Sequence, residues 1–372
     1  MPKVVFLTGH YAEAKRKAGF HWLADAFWRH GWDVLFFTQS LSWLSRLRND
    51  VRFTYPVREE ANRLRLIRER FKSFVWYKSF HPVNLRLGAL NWLSAPFFRL
   101  YGKLPLHGME KELADADLFV FDSDHGLLLF DRIRRINPKA RYVYRVSDDI
   151  PAMRNHPLLI QQEERVAGRF DLVSVPSEYI QRRLAHHGNV KLHKHGLRKD
   201  LFDAASANPY TTTKPNVLYV GREYFDTDAV ERAAKLFPEW SFTVFGVRDY
   251  FPAAPNIAAY PERPFEEIVP YLKHADIGLQ TRSYSPGAEA LTDSLKMHQY
   301  TYCRLPIVAP EFLRNDRPHV FYYRPGDDAT IRQALLDAHA FDRSQVPVGE
   351  VQTWDDIIVQ LAGDRMKQSR DG

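Results

Sequence analysis

The residues best suited to chemistry fall in one run, Thr292-Asp-Ser-Leu-Lys-Met-His-Gln-Tyr-Thr-Tyr-Cys-Arg-Leu-Pro306. Asp293 or Ser294 can cap a helix there, leaving backbone N–H groups that point outward, where the positive end of the helix dipole favours an anion. Lys296 and Gln299 lie three apart and share a helix face. The apolar run Leu305-Pro-Ile-Val-Ala309 then reads as a buried parallel strand. A helix start with a lysine in its first turn, leading back into a sheet, is what an enzyme acting on a nucleotide sugar needs to hold its diphosphate.

The elements around this run alternate between strand and helix. In the first half, Val4–Thr8, Asp33–Thr38, Leu118–Asp122, Arg141–Arg145 and Asp171–Val175 are short apolar runs that read as strands. Phe20–Arg29, Leu127–Ile136, Ile160–Arg169 and Tyr179–His186 read as the helices between them. This alternation specifies a doubly wound parallel sheet. Residues 204–215 are small, polar and proline-flanked, the composition of a linker. A second alternation follows, with strands at Val217–Gly221, Ser241–Gly246, Asp276–Gln280 and Leu305–Ala309 and helices at Asp228–Phe237, Phe265–Lys273 and Ser294–Tyr302. The expected organisation is α/β, with two Rossmann-like domains, 1–203 and 216–345, facing a central cleft. Residues 346–372 are expected to form a helical segment that can pack back on the first domain.

At 372 residues, 45% hydrophobic and 26% charged, the chain is globular and long enough for two domains. A single cysteine, Cys303, excludes an internal disulfide framework and suits a reducing compartment. The apolar run at the N-terminus is too short for a signal peptide, and no run approaches the length of a spanning helix. A cytoplasmic protein is expected.

The net charge of +7 is concentrated in residues 61–103, where nine Lys/Arg face the single acid Glu69. Arg65, Arg68 and Lys72 interleave there with Phe71, Phe74 and Trp76, and Leu64, Ile67, Phe71 and Phe74 have helical spacing. Trp92, Phe97 and Phe98 form a second aromatic cluster. A basic amphipathic helix of this kind suits the surface of an anionic membrane. A core-facing helix with solvated arginines is the plain alternative. No nucleic-acid motif accompanies the charge, so no nucleic-acid partner is expected.

Neither a G-x-G-x-x-G fingerprint nor a P-loop is present, which argues against a dehydrogenase and a P-loop enzyme. Gly221 and Gly246 close two strands of the second half, where a backbone can approach a ligand.

The segments Val143-Tyr-Arg-Val-Ser-Asp-Asp-Ile150, Val220-Gly-Arg-Glu-Tyr-Phe-Asp226, Tyr271-Leu-Lys-His-Ala275 and Asp293-Ser-Leu-Lys-Met-His-Gln-Tyr300 together resemble the GumK family. The resemblance runs in order from about Leu118 to Ala309. It implies the two-domain GT-B fold and a membrane-associated, monotopic, metal-independent inverting glucuronosyltransferase of bacterial exopolysaccharide biosynthesis. The implied donor is a UDP-sugar, UDP-glucuronate foremost, and the implied acceptor a lipid-diphosphate-linked oligosaccharide at the inner face of the plasma membrane. No cofactor and no metal is implied.

Residue by residue, the resemblance makes Asp148 the general base, as direct displacement at an anomeric carbon requires a group to take the acceptor proton. The next residue is Asp149, and either carboxylate satisfies the chemistry. Lys296, Gln299 and Ser294 match donor-diphosphate positions, and Glu262 matches a carboxylate near the nucleoside. Arg282 and Tyr284 stand near the place of a base-stacking tyrosine, and Arg222 or Arg282 can hold a donor carboxylate. Asp122 and Ser123 match a loop lining the acceptor, which His10, following the first strand, can also reach. His195-Gly196 resembles a pair at the crossing between domains.

Three other readings compete. A retaining transferase of this fold carries two glutamates eight apart, but Glu289 has Met297 at that spacing. A sugar-nucleotide epimerase has no use for the basic aromatic segment. A non-catalytic membrane-binding protein has no use for Asp148, Lys296 and Gln299. A GT-B transferase using another UDP- or GDP-sugar stays open.

Overall fold

The structure, a computed structural model, describes residues 1–368 except positions 49, 154, 206, 212, 223, 286 and 316. Glu223 of the Val220–Asp226 pattern and the last four residues of the C-terminal segment thus lie outside the described residues. The chain forms two compact units, Met1–Lys194 with Trp354–Gly372, and His195–Thr353.

The first unit is built on eight strands: β1 (Lys3–Thr8), β2 (Asp33–Ser42), β3 (Leu64–Arg68), β4 (Phe71–Lys78), β5 (Leu118–Phe121), β6 (Arg141–Arg145), β7 (Leu172–Val175) and β8 (Val190–Leu192). Their order is β3-β4-β2-β1-β5-β6-β7-β8, parallel except for β3 on β4. Val4 to Leu7 are wholly buried, as a central parallel strand covered on both faces requires. The direction of winding reverses between β1 and β5, and a doubly wound sheet opens a crevice beyond the carboxyl ends of its strands at that point.

Residues 61–80 correct the expectation of an amphipathic helix. They form the hairpin β3–β4, turning at Arg70 with φ +59°. The spacing of three, four and three is helical, but β4 is buried on both faces and so lacks the alternation that marks a half-exposed strand. Here parallel pairing of β4 with β2, from Val34↔Phe71 to Ser42↔Lys78, decides for strand. Phe71, Phe74 and Trp76, expected to face a membrane, are consequently core residues at 7%, 1% and 0% exposure, and Phe98 is also buried. Arg65 pairs with Glu60 and Glu13, Arg68 with Asp25 and Lys72 with Glu112, so these cations are engaged inside the unit. The exposed aromatic surface lies instead on the helix Gly88–Arg99, where Trp92, Leu93 and Phe97 are 76%, 64% and 50% exposed.

The second unit carries β10 (Asn216–Val220), β11 (Ser241–Phe245), β12 (Ile257–Tyr260), β13 (Ile277–Leu279), β14 (Ile307–Pro310) and β15 (Val320–Tyr323), with the short pair β9 (Gly196–Leu197) and β16 (Gln352–Thr353) beside them. The six-stranded sheet has the order β12-β11-β10-β13-β14-β15 and is parallel throughout, the Rossmann arrangement. Sequence reading passed over β12 and β15.

The division falls at Lys194, ahead of the expected linker at 204–215. The helix Lys199–Ala204 belongs to the second core because Phe202, 2% exposed, packs edge-on against Phe265 and Tyr302. The helix Trp354–Ala362 belongs to the first unit, where Trp354 lies against Gly19 and Arg141 Nε donates to Leu361 O at 2.9 Å.

Candidate functional site

In the first unit the ends of β1, β5 and β6 bring His10, Asp122-Ser-Asp124 and Ser147-Asp148 together. Asp122 Oδ2 accepts from Thr8 Oγ1 at 2.7 Å, and its Oδ1 accepts from Ser123 N at 2.8 Å. His10 Nε2 lies 4.0 Å from the same Asp122 Oδ2. Burial lowers the His10 pKa, opposed by the Asp122 charge. Ser123 Oγ accepts the backbone N–H groups of Ser147 at 3.1 Å and of Asp148 at 2.9 Å. Asp122 and Ser123, expected to touch the acceptor, are 5% and 4% exposed and spend their polar atoms within the protein. Ser123 supports the loop that carries Asp148, while Asp122 holds Thr8 and the Ser123 amide.

The two candidate bases have different surroundings. Asp149 is 4% exposed and paired with Arg183 Nε at 2.6 Å, while Arg183 Nη1 also holds Glu163 at 2.7 Å. Asp148 is half-buried. Asp149 is a structural ion-pair partner, and Asp148 is the less buried of the two carboxylates.

Two residues at this site, Arg52 and Gln39, escaped sequence reading. Arg52 donates to Gly9 O, Gln39 O and Ser40 O, tying together the ends of β1 and β2. Gln39 donates to Asp124 Oδ1, which also receives Gly126 N at 2.9 Å. Asp124 Oδ2 is shut off from solvent without a hydrogen-bond partner, and burial, with the Asp122 charge next, pushes its pKa up to about 8. The Asp-x-Asp spelling was the available signal, and it marks a buried carboxyl pair here.

In the second unit the helix Leu295–Tyr302 follows Ser294, whose side chain caps nothing. Its hydroxyl accepts Gln280 Nε2 at 3.1 Å, and Asp293 is drawn to Arg317. Neither expected cap forms, so no side chain of the pair occupies the helix start and its N–H groups keep their affinity for an anion. Lys296 Nζ sits 4.1 Å from the centre of the Tyr219 ring. A Cβ at Gly221 would stand 2.9 Å from that ammonium, which would have to shift to admit it. Gly246, at φ +89°, packs on Gly221 so closely that a Cβ would lie 3.0 Å from Gly221 O. Gln299 is buried.

Gly246 opens onto a hollow of about 600 Å³ at the ends of β11 and β12, lined also by Arg222, Arg248, Tyr260 and Glu262. Tyr260 stacks on Phe245 at 5.0 Å, with the Arg263 guanidinium 4.8 Å from its ring. Arg282 and Tyr284 do not line this hollow. The Arg282 guanidinium lies over Tyr224 at 4.2 Å, and Tyr284, 64% exposed, meets Phe312 edge-on. His195 lies 6.1 Å from His298, ring centre to ring centre. Arg248 and Tyr260 were not foreseen, because a strand's end identifies its lining residues only once the strand, here β12, is known.

Comparison with known proteins agrees with this architecture. Residues 6–176 match the family model for the N-terminal domain of glucuronosyltransferase GumK. The chain is 26% identical over 367 residues to the UDP-glucuronate:glycolipid 2-beta-glucuronosyltransferase of Xanthomonas campestris pv. campestris, covering 98% of this chain and 90% of the relative. Among solved structures, sucrose-phosphate synthase of Thermosynechococcus elongatus superimposes with a TM-score of 0.66 at 14% identity, each chain covered completely. Anabaena HepE, solved with UDP and glucose, gives 0.59 at 14% identity, again over all of both chains. The first unit therefore matches the GumK N-terminal domain, and the chain as a whole is similar to a glucuronosyltransferase and has the GT-B glycosyltransferase fold.

Proposed function

We propose that this protein is an inverting, metal-independent glycosyltransferase that moves glucuronic acid from UDP-glucuronate to a lipid-diphosphate-linked oligosaccharide in bacterial exopolysaccharide assembly. The observation that carries the reading is the Lys296 ammonium held against Gly221, one glycine away from the hollow bearing Glu262 and Arg222. The named activity of the Xanthomonas relative supports the donor and the glycolipid acceptor.

The chemistry follows from the two sets of residues. Asp148 takes the proton of the attacking hydroxyl, and a single displacement inverts the anomeric centre. Lys296 and the uncapped helix start place positive charge where the diphosphate leaves, a preorganised stabilisation of the transition state. Arg222, in the hollow, suits the donor carboxylate better than Arg282, which is stacked on Tyr224. Glu262 suits the ribose hydroxyls as an acceptor of hydrogen bonds.

Among the described residues no helix is long and apolar enough to cross a membrane. Attachment to the inner face of the plasma membrane would instead use the helix Gly88–Arg99, its exposed Trp92, Leu93 and Phe97 flanked by the exposed cations Arg86, Arg99 and Lys103.

The test is a thermal-shift panel of UDP, GDP, UDP-glucuronate, UDP-glucose and GDP-mannose on the wild type and Lys296→Ala. A ligand that binds only the folded state raises Tm. The expected result is a rise with UDP and a larger one with UDP-glucuronate, both lost in the variant. No rise with any nucleotide would overturn the reading.

A further inference from the structure

We infer that Glu164, His186 and His187 form a surface site for a divalent transition-metal ion such as Zn²⁺ or Ni²⁺, separate from the proposed transfer chemistry. Among the described residues they are the one group of three potential ligands whose donor atoms all lie within 4.8 Å of one another. Both imidazoles aim Nε2 at the same carboxylate, His186 at 2.6 Å from Glu164 Oε1 and His187 at 3.5 Å from Glu164 Oε2.

Adjacent side chains on a helical turn ordinarily diverge. Here the 3-10 turn Ala185–His187, stopped by Gly188 at φ +77°, brings the two rings to 4.0 Å between centres. The second observation is His187 itself. Its side chain is only 9% exposed, it packs on Gly168, and its buried Nε2 has no hydrogen-bond partner. A buried ring nitrogen aimed at a carboxylate and left unsatisfied is costly alone and satisfied by a shared cation.

Two nitrogens and one carboxylate oxygen suit Zn²⁺, Ni²⁺ or Cu²⁺ and disfavour Mg²⁺ and Ca²⁺, which take oxygen ligands. The 3.5 Å separation is near the edge of a tetrahedron with bonds of about 2.1 Å, and water would complete the shell. The ion would tie the helix Pro157–Val166 to the end of the helix Glu178–Leu184. Arg183 already links these helices through Glu163 and reaches Asp149, so a staple there braces the support of the Asp148 loop.

The experiment is calorimetric titration of the untagged full chain with Zn²⁺, Ni²⁺ and Mg²⁺, with thermal melts alongside. Wild type is expected to bind one Zn²⁺ or Ni²⁺ with micromolar affinity and to gain Tm, with no response to Mg²⁺. Glu164→Gln and His186→Ala, both at exposed positions, should keep the metal-free Tm and lose at least tenfold in affinity. Absence of saturable Zn²⁺ and Ni²⁺ binding, equal binding of Mg²⁺, or unchanged affinity in both variants would overturn the site.

Discussion

The hydroxyl of Ser123 accepts the backbone N–H of Asp148 at 2.9 Å, so the end of β5 sets the position of the loop that follows β6. Because the same oxygen takes Ser147 N, removing it strands two amides at once. Ser123→Ala should lower stability by about 1 kcal/mol and reduce kcat with little change in donor KM, since the displaced group acts only in the reaction. Steady-state kinetics with varied donor checks this, and a raised donor KM at unchanged kcat would contradict it.

Asp148 and Asp149 should part cleanly on substitution. Asp148→Asn is expected to fold normally and bind UDP as wild type does, while transfer falls by about 10²–10⁴-fold, the usual contribution of a general base. Asp149→Asn leaves Arg183 with Glu163 alone and should cost up to about 3 kcal/mol, as breaking a buried ion pair does. Thermal melts and a transfer assay on both variants decide it. Loss of activity in Asp149→Asn at unchanged stability, with Asp148→Asn active, would exchange the assignments.

The buried carboxyl of Asp124 predicts a dependence of stability on pH. In the folded protein it keeps its proton up to about pH 8, pushed there by burial. In the unfolded chain it ionises near the ordinary value of about 4. Between these values the folded state binds more protons, so this contribution is full below about pH 4 and is lost as pH rises toward 8. Asp124→Asn should therefore gain on wild type progressively from pH 5 to pH 8, by about 2–4 °C in Tm for each kcal/mol. Parallel Tm profiles for the two proteins would refute the raised pKa.

Gly221 offers a test of the lysine's placement. A methyl group in Gly221→Ala would stand 2.9 Å from both Lys296 Nζ and Tyr219 OH, so the ammonium must move. UDP affinity should fall roughly tenfold, about 1.4 kcal/mol, and Tm should fall too, because φ +158° strains an alanine. Calorimetric titration with UDP measures this directly, and wild-type affinity would place the diphosphate elsewhere.

Much of this architecture was legible because parallel strands buried on both faces are written as continuous apolar runs, as Val4–Leu7 and Leu118–Phe121 are. The hairpin of residues 64–78 reads as a helix because β4, covered on both faces, lacks strand alternation, and only its pairing with β2 identifies it. Strand β12, Ile257–Tyr260, is short and three-quarters half-buried, so its pattern is weak, and with it the hollow's Tyr260 went unseen. At the site, Lys296 could be picked from local sequence because its neighbours on the chain make the helix start. Asp149 could not be separated from Asp148, because its partner Arg183 lies on a later helix that only the fold brings near. Likewise Glu164 and the histidine pair 186–187 have no chelating spacing along the chain.

The correction to the basic segment changes what should hold the protein to a membrane. Arg65, Arg68 and Lys72 are ion-paired within the first unit, whereas Trp92, Leu93 and Phe97 have no such engagement for their exposed surface. Fully burying a side chain of that size contributes about 1.5–3 kcal/mol, against about 1 kcal/mol for a surface cation near anionic lipid. Replacing Trp92, Leu93 and Phe97 together by alanine should therefore abolish sedimentation with anionic vesicles. Neutralising Arg65, Arg68 and Lys72 should weaken it little beyond the loss of their ion pairs. Raised salt should reduce wild-type binding only in part, because the flanking cations Arg86, Arg99 and Lys103 are screened while the apolar contribution is not. Wild-type sedimentation by the triple alanine variant would return the membrane surface to the charged hairpin.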